Sequence, residues 1–329
     1  MIEKYLPLIL GGIGAVLVLF VVSIFLPGIE RKVQARIQQR IGPPITSPGL
    51  FASIKFFFKK RIVPNSPLPK AYNALPTVIL LCILGIIIAC LPEIMDLNAI
   101  ACVIFIVGLL KIEEIIYVIM GALSNSVMGI NHPFPDTIKG SKHVDTLKSS
   151  LEDISSSRAM RLITYGSFPI YIAMFIPVVM SKSIFFMDIL VVQLNQPILF
   201  SIPGILGTIA FIVGMMIILN EYPFAFLKTK ADVIEGPYME YAANSRGVVY
   251  LTKGLLIMAL TTVYCLLFLG IPPTLFSWTI IVNIIVAIIF TVIISFISAF
   301  SPVFTNKQFY PVSIAASIIG ILGIVVAFI

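Results

Sequence analysis

Three charged residues stand within four positions of one apolar run: Lys111, Glu113 and Glu114, in the stretch 99–122. An ionisable side chain at the centre of a bilayer costs about 2.5–3.5 kcal/mol on insertion scales. It persists there when it is paired, faces other helices or meets water. Lys111 and Glu114 are three positions apart and can pair on one helix face. Glu113 points elsewhere and needs another partner. The chemistry open to such carboxyl groups is proton relay, because a carboxyl withdrawn from water exchanges protons closer to neutral pH. A purely structural alternative is a neutral Lys–Glu pair plus one residue near a helix end. A second acidic set, Asp232, Glu235 and Glu240, follows position 220 in one loop, interleaved with Val233, Ile234, Tyr238 and Tyr241. The plain alternative there is a solvated loop.

Membrane helices must position these groups. The chain has 329 residues, 59% of them hydrophobic and 11% charged, against roughly 25% charged in a soluble domain. A run of about 18 apolar residues is enough to suggest a membrane helix. Eight such spans are read here, at about 5–27, 75–92, 99–122, 160–180, 200–220, 249–270, 276–298 and 310–329. None alternates polar with apolar residues, as a membrane barrel strand would. The expectation is an all-α integral membrane protein, one membrane domain with cytoplasmic amphipathic helices. The first span does not read as a cleaved signal peptide: it is too long, and no small-residue cleavage site follows it.

The net charge of +7 would suggest nucleic acid on a soluble protein. On this chain it reports topology instead. Segment 28–74 holds nine basic residues (Arg31, Lys32, Arg36, Arg40, Lys55, Lys59, Lys60, Arg61, Lys70) and one acid, Glu30. With the loops 123–159 and 221–248 and their borders, and Lys307 in 299–309, 19 basic residues fall on one side of an eight-span zigzag and two, Lys4 and Lys182, on the other. By the positive-inside rule both termini are extracytoplasmic and the large loops cytoplasmic, in the cell membrane. Cys82, Cys90, Cys102 and Cys265 form no CxxC pair, and His132 and His143 sit in a polar loop. Neither zinc nor iron–sulfur ligation is supported. There is no P-loop, dinucleotide fingerprint, nucleophile elbow or HExxH. No cofactor is expected on this chain.

The segment after the first span is unusual. In residues 30–44, ERKVQARIQQRIGPP, Val33, Ile37 and Ile41 recur every four residues amid Arg and Gln, which reads as an amphipathic helix ended by Gly42-Pro43-Pro44. In 48–64, Leu50, Ile54, Phe57 and Phe58 form an apolar side next to the basic cluster 55–61, the pattern of an interfacial helix. Anchoring to anionic lipid accounts for the charge of both. It does not account for the particular run of Gln, Arg, Gly and Pro in the first.

That run, E-R-K-x-x-A-R-I-Q-x-R-x-G-P at Glu30, Arg31, Lys32, Ala35, Arg36, Ile37, Gln38, Arg40, Gly42 and Pro43, resembles the signature of the respiratory complex I subunit 1 family. That membrane subunit is shared by complex I and energy-converting [NiFe] hydrogenases. The next segment is similar at Gly49, Leu50, Lys55, Lys59, Ile62 and Pro64, with Ala52 and Lys60 where acids are expected. Glu114 and Tyr117 match an acid three residues before a tyrosine. Thr164 and Tyr165 fit a pattern R-A-x-x-Q-x-I-S-Y-E, with Arg161 in the Gln position and Gly166 in the Glu position. In the loop, Pro223, Phe224, Asp232, Ile234, Gly236, Glu240 and Tyr241 fit, while Glu221, Ala225, Lys228 and Lys230 depart. Pro302, Phe304 and Gln308 fit a last motif whose arginines are here Val303 and Thr305.

The resemblance covers nearly the whole chain and implies a membrane anchor and ion-coupling subunit. The losses of acids and arginines favour the hydrogenase branch, of a methanogen type, linking ferredoxin/H2 electron transfer to H+ or Na+ movement. It implies coupling roles for Glu114, Glu113, Lys111, Asp232, Glu235 and Glu240. It implies partner docking at Glu30, Arg31, Arg36, Gln38, Arg40, Gly42 and Pro43. The partners it implies are hydrogenase large and small subunits, a ferredoxin-like iron–sulfur subunit and antiporter-like membrane subunits. The [NiFe] centre and iron–sulfur clusters would lie in those partners. The alternatives are a quinone- or phenazine-binding subunit of a complex I-type dehydrogenase, and a secondary transporter. For the transporter, internal repeats and broken helices would be needed, and no repeat is found. The loop 131–157 is longer than the family norm and suits partner contact.

Overall fold

The computed structural model describes residues 2–60, 66–124, 151–225, 235–275 and 277–328. Asp232, His132, His143 and most of the loop 131–157 lie outside them. Twelve α-helices are present among the described residues: α1 Ile2–Ser23, α2 Leu26–Ile37, α3 Ala52–Phe57, α4 Pro69–Ala89, α5 Val103–Ala122, α6 Leu151–Tyr165, α7 Phe168–Ser181, α8 Phe186–Gln193, α9 Ile202–Ile218, α10 Ala243–Tyr264, α11 Trp278–Phe300 and α12 Asn306–Phe328. A π-helical turn precedes α3 (Ser47–Phe51), and another extends α10 (Cys265–Leu269). The chain is a multi-pass, all-helical membrane protein.

Among the described residues six helical stretches are long and apolar enough to cross a bilayer: Leu10–Ile37, Pro69–Ala89, Ile154–Ser181, Ala243–Leu269, Trp278–Phe300 and Lys307–Phe328. The other two of the eight expected spans differ for physical reasons. α5 has 20 residues but carries Lys111, Glu113 and Glu114. α9 is apolar but only 17 residues long, or about 26 Å at 1.5 Å per residue. The span expected at 160–180 is interrupted: α6 ends at Tyr165 and α7 starts at Phe168, with Gly166 and Ser167 between them.

The amphipathic helix expected over 30–44 is α2. It begins earlier, at Leu26, and stops at Ile37, before Gly42. Gln39 takes φ 57°. The N–H of Gln39 bonds the Arg36 carbonyl at 3.1 Å, and that of Arg40 bonds the Ala35 carbonyl at 2.9 Å. This left-handed closure ends a helix without glycine.

α10 is the buried axis: every residue from Gly254 to Tyr264 is buried, and α1, α2, α3, α4 and α11 pack around it. α7, α9 and α12 form a second group, and α5 pairs with α6 and α4. Close approach relies on small residues, as between membrane helices generally. A Cβ on Gly254 would lie 2.1 Å from the Ser23 carbonyl oxygen, and one on Gly214 2.5 Å from the Ile170 nitrogen. Ile281, Ile285, Ile289 and Phe296 of α11 form an exposed stripe, the face for lipid.

Candidate functional site

Where α5 meets the α6–α7 break, four groups converge. Lys111 Nζ donates to Glu114 Oε2 at 2.7 Å, to Ser167 Oγ at 2.6 Å and to the Ile163 carbonyl at 3.4 Å. Ser167 Oγ also donates to Glu114 Oε2 at 3.3 Å. The ammonium lies 4.5 Å from the centre of the Tyr171 ring, within cation–π range. The i,i+3 pairing expected from spacing is therefore present, and α7 completes it. The interruption at 166–167 brings Ser167, itself fully buried, up to the pair. Glu113 is also fully buried. It points to a different set of neighbours, with Tyr117, Tyr238 and Cys82 close enough to feel its charge.

A second cluster joins elements far apart in sequence. Lys253 of α10 pairs with Glu30 Oε2 of α2 at 2.8 Å and with Glu221 Oε1, just past α9, at 2.6 Å. Both carboxylates are buried and Lys253 is one-third exposed. The triad carries a net charge of one minus. It borders a cavity of about 300 Å³ that also touches Arg31, Tyr117, Asn220, Tyr238, Arg246 and Tyr250. On the loop side of that cavity Arg246 pairs with Glu235 and donates to the Tyr238 carbonyl at 2.8 Å. Its guanidinium lies 5.2 Å from the Tyr250 ring. Tyr238 in turn meets Tyr117 edge-on, ring centroids 5.6 Å apart. Tyr241 stacks on Tyr72 at 4.4 Å and donates its hydroxyl to the Tyr72 carbonyl at 2.8 Å. Burial pushes both loop phenols, Tyr238 and Tyr241, well above the ordinary tyrosine value, so they act as neutral hydrogen-bonding groups.

The two clusters touch. A small cavity of about 10 Å³ lies between Glu114, Tyr117, Ala159, Leu162, Ile163, Ile218 and Asn220. Tyr117, Ile218 and Asn220 also line the larger cavity. A polar path thus runs from the exposed Glu235 through Arg246 and the triad to the Lys111–Glu114 pair.

Of the residues singled out in sequence, Lys111, Glu113, Glu114 and Glu235 lie on or beside this path. Glu240 is half-buried near Tyr72. Glu30 is buried in the triad, while Arg31, Arg36, Gln38 and Arg40 are exposed and Gly42 and Pro43 half-buried. Arg40 also donates to Gln38. Sequence reasoning missed Lys253, Arg246, Ser167, Tyr171 and Asn220, and read Glu221 only as a departure. One signal was available: Lys253 and Arg246 are the basic residues at the mouth of an otherwise apolar run. Among the described residues no group of three His, Cys, Asp or Glu side chains could hold a metal ion.

A family model described as NADH dehydrogenase matches residues 11–130 and 149–328. The chain belongs to that family. This complex I subunit 1 homologue is 43% identical over 316 residues to an uncharacterized protein of Methanocaldococcus jannaschii, covering 96% of each chain. It is 24% identical to an NADH-quinone oxidoreductase subunit of Carboxydothermus hydrogenoformans, over 83% of this chain and 73% of the relative. Its fold is similar to a chain in the structure of the membrane-bound sulfane sulfur reductase, an archaeal respiratory membrane complex. The TM-score is 0.76, the sequence identity 21%, and the match covers 98% of this chain and 99% of the other.

Proposed function

We propose that this subunit is the membrane anchor and ion-coupling element of a multi-subunit energy-converting [NiFe] hydrogenase, linking ferredoxin/H2 electron transfer to ion movement. The observation that carries the reading is the polar path from Glu235 to Glu114, in which each ionisable group named has a partner of opposite charge. A path of paired ionisable groups suits ion coupling, since each group can take up or give up a proton against a counter-charge already in place. The exposed Arg31, Arg36, Gln38 and Arg40, with Glu235 and Glu240, form the docking surface for hydrogenase large and small subunits and a ferredoxin-like subunit. Antiporter-like membrane subunits lie alongside. The [NiFe] centre and iron–sulfur clusters belong to those partners.

Rearrangement of the docked partners shifts the Arg246–Glu235 pair. Arg246 holds the Tyr238 carbonyl, so the shift reaches the cavity wall and the Lys253 triad. There the excess negative charge is rebalanced by a proton, and Lys111–Glu114 receives or releases it deeper in the membrane. The topology we propose counts α5 and α9 as spans, giving eight, with extracytoplasmic termini and cytoplasmic large loops.

One observation favours a second reading, a quinone- or phenazine-binding subunit of a complex I-type dehydrogenase. The cavity, at about 300 Å³, reaches the lower end of small-molecule sites. Apolar and aromatic side chains, among them Pro27, Ile218, Val249 and Leu256, make up much of the wall, but six charged ones, Glu30, Arg31, Glu221, Glu235, Arg246 and Lys253, line it as well, more than the few polar groups of an ordinary small-molecule site, and that favours the first reading. The test is to purify the complex, identify the co-eluting subunits and measure H2-linked ion uptake in vesicles. Nickel-containing partners are expected, with Glu114→Gln abolishing ion uptake while hydrogen turnover in the presence of an uncoupler survives. Purification as a lone chain, or undiminished coupling in Glu114→Gln, would refute the proposal.

A further inference from the structure

We propose that the small cavity between Glu114 and Asn220 binds a single water molecule and makes the path selective for protons over Na+; this rests on the coupling role proposed above. Two buried oxygens carry the inference. Glu114 Oε2 is engaged by Lys111 and Ser167, which leaves Oε1 with no partner. The Asn220 amide nitrogen donates to the Ile218 carbonyl at 3.3 Å, which leaves its Oδ1 with no partner. Glu114 and Asn220 are 3% and 5% exposed, and both line this one cavity. Two orphan acceptors on residues that line one space call for a donor of two hydrogen bonds, which is what a water molecule is.

The size agrees. A volume of about 10 Å³ is at the threshold for one water and leaves no room for several. The remaining walls are Tyr117, which can add a third hydrogen bond, and the apolar Ala159, Leu162, Ile163 and Ile218. The backbone also commits Asn220 to this place: its φ is 52°, a left-handed conformation that asparagine tolerates better than most residues.

Selectivity follows from what the site lacks and what already fills its far side. A Na+ ion passing this gap must exchange its hydration shell for protein oxygens, and the gap offers two acceptors and one phenol. Beyond it, the oxygens of Glu114, Ser167 and Ile163 already surround the Lys111 ammonium, which repels a second cation. A proton needs neither space nor a shell. It moves onto the water from the larger cavity and from the water onto Glu114 Oε1, and the water keeps its place.

The test uses the whole complex in sealed vesicles, with Ala159→Val and Gly108→Ala variants. Ala159→Val adds methyl groups to the cavity without touching the carboxyl or the amide; Gly108→Ala adds one in open space on α5, away from the cavity. We expect proton uptake in Na+-free buffer by the wild type and by Gly108→Ala. In Ala159→Val it should fall about 100-fold, the lower range for loss of a positioned proton-transfer partner, with uncoupled turnover retained. A structure of the complex that resolves ordered water should show one between Glu114 and Asn220. Undiminished uptake in Ala159→Val, or an ordered cavity without water density, overturns the inference. Glu114-dependent movement of Na+ and not H+ overturns it too, but leaves the coupling role standing. Movement of neither ion by the wild type overturns the coupling role itself.

Discussion

Replacing Lys253 with methionine tests whether the triad is held by charge. The substitution keeps most of the stem and removes the ammonium that lies 2.8 Å from Glu30 and 2.6 Å from Glu221. Two buried carboxylates are then left facing one another. Removing one partner of a buried ion pair costs about 3–5 kcal/mol. Lys253 is one-third exposed, so solvent screening moves the expectation to the low end, about 3 kcal/mol. By the scaling of soluble domains of 150–250 residues, that lowers the melting temperature by about 6–12 °C. A thiol-reactive dye reports the transition, because Cys82, Cys90, Cys102 and Cys265 are all buried in the folded protein. The decisive control is Lys253→Met with Glu221→Gln, which removes one of the two stranded charges and should recover at least half of the loss. An unchanged melting temperature in the single variant would refute the argument. A double variant as unstable as the single one would also do so, since the loss would then come from stem packing.

Ser167→Ala removes a hydroxyl 2.6 Å from Lys111; it should cost about 1–2 kcal/mol in the same melting assay and slow ion uptake. Gly254→Ala places a methyl 2.1 Å from the Ser23 carbonyl oxygen, forces α1 from α10 and should lower membrane-inserted yield, read by quantitative blotting, whereas alanine at Gly108, which has open space around it, should not. Tyr238→Phe keeps the edge-on ring contact with Tyr117 and the backbone carbonyl that Arg246 holds, so its stability should stay within about 1 kcal/mol of wild type while ion uptake per H2 falls.

Six of the expected spans were legible because apolar runs advertise themselves, and Lys111–Glu114 because a three-residue spacing on a helix is a local signal. Lys253 was not legible: its partners are Glu30 and Glu221, on other elements, and no period links the three. The burial of Glu30 was not legible for a more instructive reason. The stripe Val33, Ile37 and Ile41 looks like the buried face of α2, yet Ile41 is 76% exposed and the buried residues are Leu26, Pro27, Gly28, Glu30 and Ala35. At a membrane boundary the apolar stripe can face lipid and the polar side can face protein, which reverses the inference made for soluble helices. α9 was read as 200–220 because Leu219 and Asn220 continue the run, but the left-handed Asn220 ends it. That same turn delivers Glu221 to Lys253.

Gly166 shows why one acid of the family pattern has no place in this chain. The pattern seen in the sequence has an acid at this position, and here no side chain fits: a Cβ would lie 2.6 Å from the Leu162 carbonyl oxygen, 2.8 Å from the Phe309 ring and 3.0 Å from Ile217. The neighbouring Ser167 hydroxyl lies 3.3 Å from Glu114 Oε2. The carboxylate at the α6–α7 break is therefore Glu114 of α5, the acid that the pattern also has three residues before Tyr117. Lys111, one turn away on the same helix, lies 2.7 Å from it and 2.6 Å from Ser167, so the break keeps one acid with its own counter-charge where the pattern has two acids. Gly166→Glu will not restore coupling to Glu114→Gln, because the added carboxyl meets the Leu162 carbonyl and the Phe309 ring and has no room to reach the position that Glu114 holds.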